Sequence, residues 1–408
     1  MRTSHLNTTL GILVLSTVAY GQSEPSTGLA LKAWLAQDSN QRPELAGQTF
    51  ATAPLTKREA GIAHQMLWDD LREALRPERE AELKAEAITI GDHKLRFDVK
   101  DYGKQSLYIS MHGGGGTRPE INDQQWENQT KLYKVKDGYY VSPRAPGDTW
   151  DLWHKAHIDP LFDRLIENFI IVNGIDPNKV YVLGYSAGGD GAFQLAPRMA
   201  DRWAAAAMMA GHPGDAMPDN LRNIGFSLHM GGQDAAYKRN EHAAEWKIKL
   251  ADLKSADPEG YAHEVQIYED KGHWMDKKDA SAIPWMAKFT RDPHPKKVVW
   301  DQDSVTHDRF YWLSMAPGST NKDQRVVASI EGQSIRLEEV NGGVGLLTIL
   351  LNDAMLDLDQ EVTIEQGDLQ LFKGKVPRTI QALLSTLTQR PDPTQQYSAK
   401  VTVSPVNR

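Results

Sequence analysis

The chain has 408 residues, a length typical of roughly two or three domains and sufficient for a large hydrophobic core. Apolar residues make up 40% of it and charged residues 25%, which excludes a disordered, collagen-like or coiled-coil protein. The 46 basic and 54 acidic side chains give a net charge of −8, and no basic block is present, so we expect no nucleic-acid partner. The absence of cysteine excludes disulfides, thiolate metal sites and cysteine nucleophiles.

Residues 1–21 are typical of a secretory signal peptide. Arg2 precedes an apolar stretch that begins at Leu10, and Ala19 and Gly21 supply the small residues that a signal peptidase requires. This stretch is shorter than the about 20 apolar residues that cross a bilayer. We therefore expect a secreted or periplasmic protein with no stable membrane insertion after signal removal; a retained anchor is the alternative.

Residues 22–86 are predicted to form a polar leader, flexible to about Gln48, followed by a helical lead-in. The helix is predicted over 56–86, and Pro77 is expected to interrupt it. Its apolar face is formed by Leu67, Leu71 and Leu75.

Residues 87–297 alternate between short apolar strands and helices. This pattern indicates an α/β domain with a mainly parallel central sheet covered on both faces. One helix is predicted over 158–173 from apolar residues at a spacing of four. The predicted strands are Lys94–Val99, Leu107–Met111, Gly138–Ser142, Val180–Leu183, Ala205–Ala210, Gly225–Met230 and Glu264–Tyr268.

Residues 298–408 have a different pattern and are predicted to form a small, separate β-rich unit. Asn341-Gly342 is typical of a hairpin turn. Pro377 precedes a predicted amphipathic helix over 378–387. The predicted strands are Phe310–Met315, Arg325–Ile330, Ser334–Glu338, Leu346–Leu351, Val362–Glu365 and Ser398–Val403.

The segment Gly184-Tyr-Ser-Ala-Gly188 fits the pattern Gly-x-Ser-x-Gly, which is weak evidence by itself. It lies between the strand that begins at Val180 and a helix that begins near Gly189. A strand that reverses directly into a helix presents the intervening serine on a strained, exposed turn. This context predicts Ser186 as a nucleophile; a serine in an ordinary loop is the alternative.

A serine nucleophile needs a base and a group that orients the base. His273 follows Gly272 just after the last predicted strand of the sheet, and this position distinguishes it from the other histidines. Asp234 follows the preceding strand and is the predicted third member. Asp270, only three residues before the histidine, is the competing candidate.

Four consecutive glycines follow the strand that ends at Met111, and a preceding histidine completes the segment His112–Gly116. Unobstructed backbone N–H groups in such a run can bind the oxyanion of an acyl-transfer reaction. The predicted donors are Gly113, Gly114, Gly115 and Ala187. A plain turn or a phosphate-binding loop is the alternative, but no Gly-Lys-Ser/Thr follows the run.

Taken together, these motifs give residues 88–297 a resemblance to the α/β-hydrolase fold. The resemblance is to its branch of secreted bacterial esterases, similar to polyhydroxybutyrate depolymerases, feruloyl esterases and prolyl-oligopeptidase-type hydrolases. It implies a Ser–Asp–His serine hydrolase that needs no metal or organic cofactor. It covers about half of the chain and excludes the lead-in and the tail.

The sequence therefore predicts an exported serine hydrolase of carboxylic esters, acting on a small-molecule or polymer ester. Tyr185 and Trp274 are the predicted substrate-binding residues, with Trp126, Trp150 and Trp153 as further aromatic candidates; core packing is the alternative. A prolyl-oligopeptidase-like peptidase remains open, although the lead-in is too short for a β-propeller. A non-catalytic binding protein that uses 298–408 as its surface also remains open.

Overall fold

The structure is a computed structural model that describes residues 27–38, 41–103 and 105–407. The predicted signal peptide lies outside the described residues. Among the helices of the described ranges, none combines the length and apolar character that a membrane crossing requires.

The described chain forms nine α-helices and seventeen strands. The helices are α1 (Thr27–Leu35), α2 (Thr49–Thr52), α3 (Lys57–Lys84), α4 (Pro119–Leu132), α5 (Ile158–Asn168), α6 (Ala187–Arg198), α7 (Arg239–Ala256), α8 (Ala282–Met286) and α9 (Ile380–Gln389). The strands up to the end of the central domain are β1 (Ala87–Ile90), β2 (His93–Asp101), β3 (Leu107–Met111), β4 (Tyr139–Arg144), β5 (Val180–Tyr185), β6 (Ala205–Met209), β7 (Gly225–Gly231) and β8 (His263–Tyr268). The remaining strands are β9 (Lys297–Asp301), β10 (Arg309–Phe310), β11 (Leu313–Met315), β12 (Arg325–Glu331), β13 (Ser334–Asn341), β14 (Leu347–Leu351), β15 (Val362–Gln366), β16 (Leu369–Gly374) and β17 (Ala399–Val403).

The first eight strands form one sheet in the order β1-β2-β4-β3-β5-β6-β7-β8. Strand β2 pairs antiparallel with both of its neighbours, and all the other pairs in this sheet are parallel. Every residue of β3, β5, β6 and β7 is buried, as expected for central strands covered on both faces. The predicted α/β fold with a mainly parallel sheet is confirmed, and all seven strands predicted for it are present.

The N-terminal region differs from the prediction in two ways. The leader predicted to be flexible contains α1, because the fully buried Leu31 anchors this helix in the hydrophobic core. The long helix α3 continues through Pro77 without interruption. Pro77 is exposed, so the carbonyl group that loses its helical hydrogen bond there can be solvated by water.

The C-terminal region contains two further sheets, with orders β10-β11-β14-β17 and β16-β15-β13-β12-β9. The predicted hairpin at Asn341-Gly342 is wrong, since β13 and β14 belong to different sheets. Gly342 has φ +76°, and a Cβ there would lie 2.4 Å from the carbonyl oxygen of Asp323. The glycine therefore permits a close backbone contact at the point where the chain passes from one sheet to the other.

The predicted strand over 310–315 is divided into β10 and β11, because Tyr311 has a left-handed φ of 52°. The hydroxyl of Tyr311 donates to the backbone oxygen of Ala200 at 3.0 Å. Apolar side chains of the C-terminal region, including Phe310 and Trp312, belong to the same buried cluster as those of the large sheet. The two regions thus share a continuous hydrophobic core.

Candidate active site

The turn between β5 and α6 places Ser186 at the carboxyl edge of the large sheet. Ser186 has φ 57° and ψ −122°, a strained conformation that projects the side chain away from the sheet. A Cβ on Gly184 would lie 2.0 Å from the Gly188 oxygen, and one on Gly188 would lie 2.1 Å from the Met111 oxygen. Both glycines are therefore required because backbone segments cross at this turn.

A continuous hydrogen-bonded chain leads from Ser186 into the protein. His273 Nε2 lies 3.0 Å from Ser186 Oγ, and His273 Nδ1 lies 2.7 Å from Asp234 Oδ2. Asp234 is only 3% exposed, whereas the histidine side chain is 44% exposed toward the cleft. The loops after β7 and β8 thus bring together the three side chains that the sequence singled out.

Asp270, the competing candidate, lies on the surface. It pairs with Lys271 at 3.1 Å and with Lys278 at 3.4 Å. The acid hydrogen-bonded to His273 is Asp234. The glycine required for the close approach of the two loops is Gly231, whose added Cβ would lie 2.0 Å from the Gly272 oxygen.

The glycine run after β3 lies directly beside the serine. A Cβ on Gly113 would lie 3.1 Å from Ser186 Cβ, and both Gly113 and Gly114 line the cleft. The N–H groups of Gly114 and Ala187 make no hydrogen bond within the described part of the chain. The N–H of Gly115, by contrast, donates to Asn122 Oδ1 at 3.0 Å, so this predicted oxyanion donor is occupied.

Asn122, in the first turn of α4, holds the glycine run in place. Its Nδ2 donates to the Gly115 oxygen at 2.9 Å and to Asp148 Oδ1 at 2.8 Å. Asn122 is fully buried, and a Cβ on Gly114 would lie 2.1 Å from its Oδ1. Only glycine at position 114 therefore allows Asn122 to support the loop.

His112 also supports the glycine run, but its side chain is buried and does not line the cleft. Burial lowers its pKa to about 4, so the imidazole is neutral at physiological pH. Its Nδ1 lies 2.5 Å from the Gly113 oxygen, and its Nε2 accepts from the Ala145 N–H at 3.2 Å. These contacts are consistent with the tautomer protonated on Nδ1.

A cleft of about 590 Å³ opens in front of Ser186 and His273. Its walls come from the glycine run, from α4, and from the loop that follows β8. Every lining residue falls between positions 113 and 277, so the C-terminal region contributes no wall to it. A volume of this size is ordinary for a small-molecule site.

The aromatic candidates differ in their positions. Tyr185 and Trp274 line the cleft, as predicted for substrate-binding residues, although substrate contact itself stays a prediction. The Tyr185 hydroxyl donates to the His273 backbone oxygen at 2.6 Å and accepts from the Met275 N–H at 3.2 Å, so it also fixes the histidine loop. None of the other three candidates, Trp126, Trp150 and Trp153, lines this cleft.

Two further charged side chains, Arg239 and Asp190, lie close enough to interact with the Asp234–His273 pair. Arg239 Nη1 is 3.7 Å from Asp234 Oδ1. Asp190 in α6 accepts the His212 N–H at 2.6 Å, and burial raises its pKa to about 6. No local motif identifies Arg239 or Asp190, because only the folded chain brings them to this position.

Within the described ranges, no group of three or more histidine, aspartate or glutamate side chains is arranged to hold a metal ion. His154 and His157 are three residues apart and precede Asp159, but this buried carboxylate bonds to Arg198 and His307. Asp159 thus acts as the partner of two basic side chains.

No protein-family model matches the sequence, and neither does any curated protein. Among solved structures, similarity is found to a thermostable esterase, with 18% identity over 50% of this chain and 62% of that chain, at a TM-score of 0.37. A phospholipase/carboxylesterase from Dyadobacter fermentans is 13% identical over 49% of this chain and 100% of its own, at a TM-score of 0.36. A carboxylesterase from Mesorhizobium loti is 17% identical over 50% of this chain and 99% of its own, at a TM-score of 0.35.

This chain therefore spans less than two thirds of the thermostable esterase, and the similarity to all three proteins is confined to about half of the present chain. The fold is evident from the molecule itself, in the strand order, the single antiparallel strand β2 and the serine turn after β5. The chain has the α/β-hydrolase fold.

Proposed function

We propose that the protein is an exported serine hydrolase that cleaves carboxylic esters through an acyl-enzyme on Ser186. The observation that carries the proposal is the unbroken hydrogen-bonded chain from Ser186 Oγ through His273 to the buried Asp234, at 3.0 and 2.7 Å. These are the distances expected of a nucleophile, its general base and the group that orients the base. Residues 1–21 support the export part of the proposal.

The reaction would begin when Ser186 Oγ attacks the ester carbonyl carbon and His273 Nε2 accepts the hydroxyl proton. Asp234 keeps the Nδ1–H of His273 directed away from the serine and stabilises the imidazolium that forms. As the tetrahedral intermediate collapses, the imidazolium returns its proton to the leaving alcohol. Water then repeats the sequence on the acyl-enzyme, which releases the acid and restores the serine.

The negative charge on the tetrahedral oxygen needs donors that are already in position. The N–H groups of Gly114 and Ala187 suit this role, since Gly114 lines the cleft together with Ser186, Ala187 directly follows Ser186, and neither N–H is used within the described chain. The loss of one such donor typically costs about 3 kcal/mol of transition-state stabilisation. The bonds from Asn122 to Gly115 keep the glycine run rigid, so the donors need not reorganise during the reaction.

A neutral fluorophosphonate probe tests the proposed nucleophile directly. The native protein is expected to become labelled and to hydrolyse p-nitrophenyl acetate, and Ser186→Ala is expected to lose both properties while unfolding at nearly the same temperature. Ser281→Ala, which changes an exposed serine away from the cleft, serves as the matched control. Absence of labelling in the folded native protein would contradict the proposal and favour a binding protein with this fold.

A further inference from the structure

Two lysine residues from different elements line the cleft in front of Ser186. Lys131 lies in the last turn of α4, and Lys277 lies on the loop that follows β8, four residues after His273. Lys277 adopts a left-handed backbone conformation with φ 61°, which is uncommon for a residue with a side chain. Helix α4 and the loop after β8 thus each contribute one lysine to the same cleft.

The lining of the cleft has a charge opposite to that of the whole chain. Among the described residues that line it are two lysines and no aspartate or glutamate, although the chain carries a net charge of −8. Because acidic residues outnumber basic ones in the whole chain, the overall composition does not account for a positively charged cleft. A cleft lined by one sign of charge raises the local concentration of ligands of the other sign.

The two lysines also differ from their neighbours in how they are paired. Lys271 and Lys278, on the same loop as Lys277, both form ion pairs with Asp270. Within the described residues, neither Lys131 nor Lys277 has a carboxylate oxygen within 4 Å.

One carboxylate acts on Lys277 from a greater distance. Asp279 is buried, and the hydroxyl of Tyr133 donates a hydrogen bond to it. Its charge interacts with Lys277, but Asp279 does not line the cleft. The ammonium group of Lys277 thus remains available to an anion in the cavity.

The rest of the cleft combines apolar and neutral polar surface. Ile121, Leu132 and Trp274 supply the apolar part, and the side chains of Gln125 and Asn128 supply amide groups. This lining suits a substrate with a hydrocarbon or aromatic body and one charged end. The described lining residues include no anionic side chain that would repel a carboxylate.

We propose that Lys131 and Lys277 select an ester that carries a free carboxylate in addition to the scissile bond. This inference rests on the proposed function, because it assigns a substrate class to the site of Ser186. The ester group would lie at the serine, and the carboxylate would lie between the two ammonium groups. The pair contributes to substrate binding and takes no part in the proton transfers at His273.

Matched pairs of esters measure this preference. Monoethyl adipate and ethyl hexanoate have acyl chains of equal length and differ in one carboxylate on the acid side of the ester. The compounds 4-acetoxybenzoate and methyl 4-acetoxybenzoate place the same difference on the alcohol side. The ratio of kcat/KM for the acidic and the neutral ester is expected to exceed one for at least one pair, and to fall as NaCl rises from about 0.05 to 0.5 M.

Substitutions of the two lysines should change this ratio. Lys131→Gln and Lys277→Gln are each expected to lower it by about fivefold, the size of a single exposed ion pair, and the double variant should bring it close to one. Lys277→Glu should lower it further by repulsion. Lys249→Gln removes the same charge from the exposed surface of α7, away from the cleft, and should leave the ratio unchanged.

Labelling by the fluorophosphonate probe distinguishes an error in the carboxylate preference from an error in the proposed hydrolase activity. If Ser186 is labelled but the native protein prefers neutral esters in both pairs, or if the lysine variants retain the native ratio, the carboxylate assignment is wrong and the serine hydrolase remains. If the folded native protein is neither labelled nor active on any of the esters, the proposed function itself fails.

Discussion

Buried polar groups are paired at the junction between the large sheet and the C-terminal region, whereas some polar groups at the cleft edge of the sheet are left without partners within the described chain. At the junction, the buried Asp201 accepts hydrogen bonds from Arg390 and from the Tyr311 N–H, and Arg291 pairs with Asp392 at 2.6 Å. These charges come from opposite sides of the interface, and burial makes an unpaired partner costly.

At the cleft, the backbone is strained and some polar groups are left without partners. Ser186 has φ 57°, and the N–H groups of Gly114 and Ala187 are unused within the described chain. Among the described residues, no carboxylate oxygen lies within 4 Å of the Lys131 ammonium group. A strained backbone conformation such as that of Ser186 costs stability and is typical of functional sites. The comparison indicates that the junction is organised for stability, while the cleft keeps groups available for a ligand.

The largest expected effect is on turnover and comes from the acid that orients His273. Asp234→Asn is expected to lower kcat by about 10⁴-fold, since an amide can favour the wrong tautomer of the imidazole. The measurement is steady-state hydrolysis of p-nitrophenyl acetate at neutral pH. Circular dichroism should show a native fold, because the asparagine occupies the same volume.

The matched control is Asp270→Asn, at the exposed carboxylate that lies three residues before His273. Its partners are the surface residues Lys271 and Lys278, so kcat is expected to stay within about twofold of the native value. A large loss of turnover in this variant, with little loss in Asp234→Asn, would reverse the assignment of the acid.

The sequence was sufficient to select Ser186, Asp234 and His273, and the structure brings these three side chains together; their catalytic roles stay predictions. Selection was possible because each residue follows a strand of a parallel sheet, and such positions meet at one edge of the sheet. The local pattern of strands and turns was therefore enough to predict that these three residues, distant in sequence, lie close together in the fold.

The same reasoning could not find Lys131, Lys277 or the buried Asn122. Lys131 and Lys277 face one cavity only because α4 packs beside the loop after β8, and no motif specifies that contact. The hairpin error at Asn341-Gly342 has a similar origin, since a local turn signal does not specify which sheet the next strand joins. Strand positions were readable from local patterns, whereas strand partners in the C-terminal region were not.

The second expected effect is on stability and comes from the junction. Asp201→Ala removes the buried acceptor of Arg390 and Tyr311 and leaves the guanidinium without this carboxylate. We expect the free energy of unfolding to fall by about 3–5 kcal/mol, the usual result of removing one partner of a buried pair. Urea titration measures this loss, while kcat of the folded fraction should stay near the native value because Asp201 lines no part of the cleft.

Glu331→Ala is the matched control for this loss. Glu331 pairs with Arg336 at 3.0 Å on the surface of the C-terminal region, where the two side chains are 69% and 58% exposed. We expect a change of less than about 1 kcal/mol. Equal losses in the two variants would contradict the claim that buried pairing at the junction contributes more than surface pairing.

The smallest effect is a pH dependence at the same junction, where His307 of the C-terminal region lies 2.7 Å from Asp159 of α5. Burial alone would lower the pKa of His307, but the hydrogen bond and negative charge of Asp159 outweigh it and raise the pKa above its ordinary value. A histidine whose pKa is raised by folding contributes stability that is complete below the unfolded pKa of about 6.5 and is lost as pH rises through the folded pKa. The stability difference between the native protein and His307→Gln, measured by urea titration, should therefore be larger at about pH 6 than at about pH 9. A difference that stays constant, or that grows with pH, would show that folding does not raise the pKa of His307 and would contradict a charged His307–Asp159 pair at the junction.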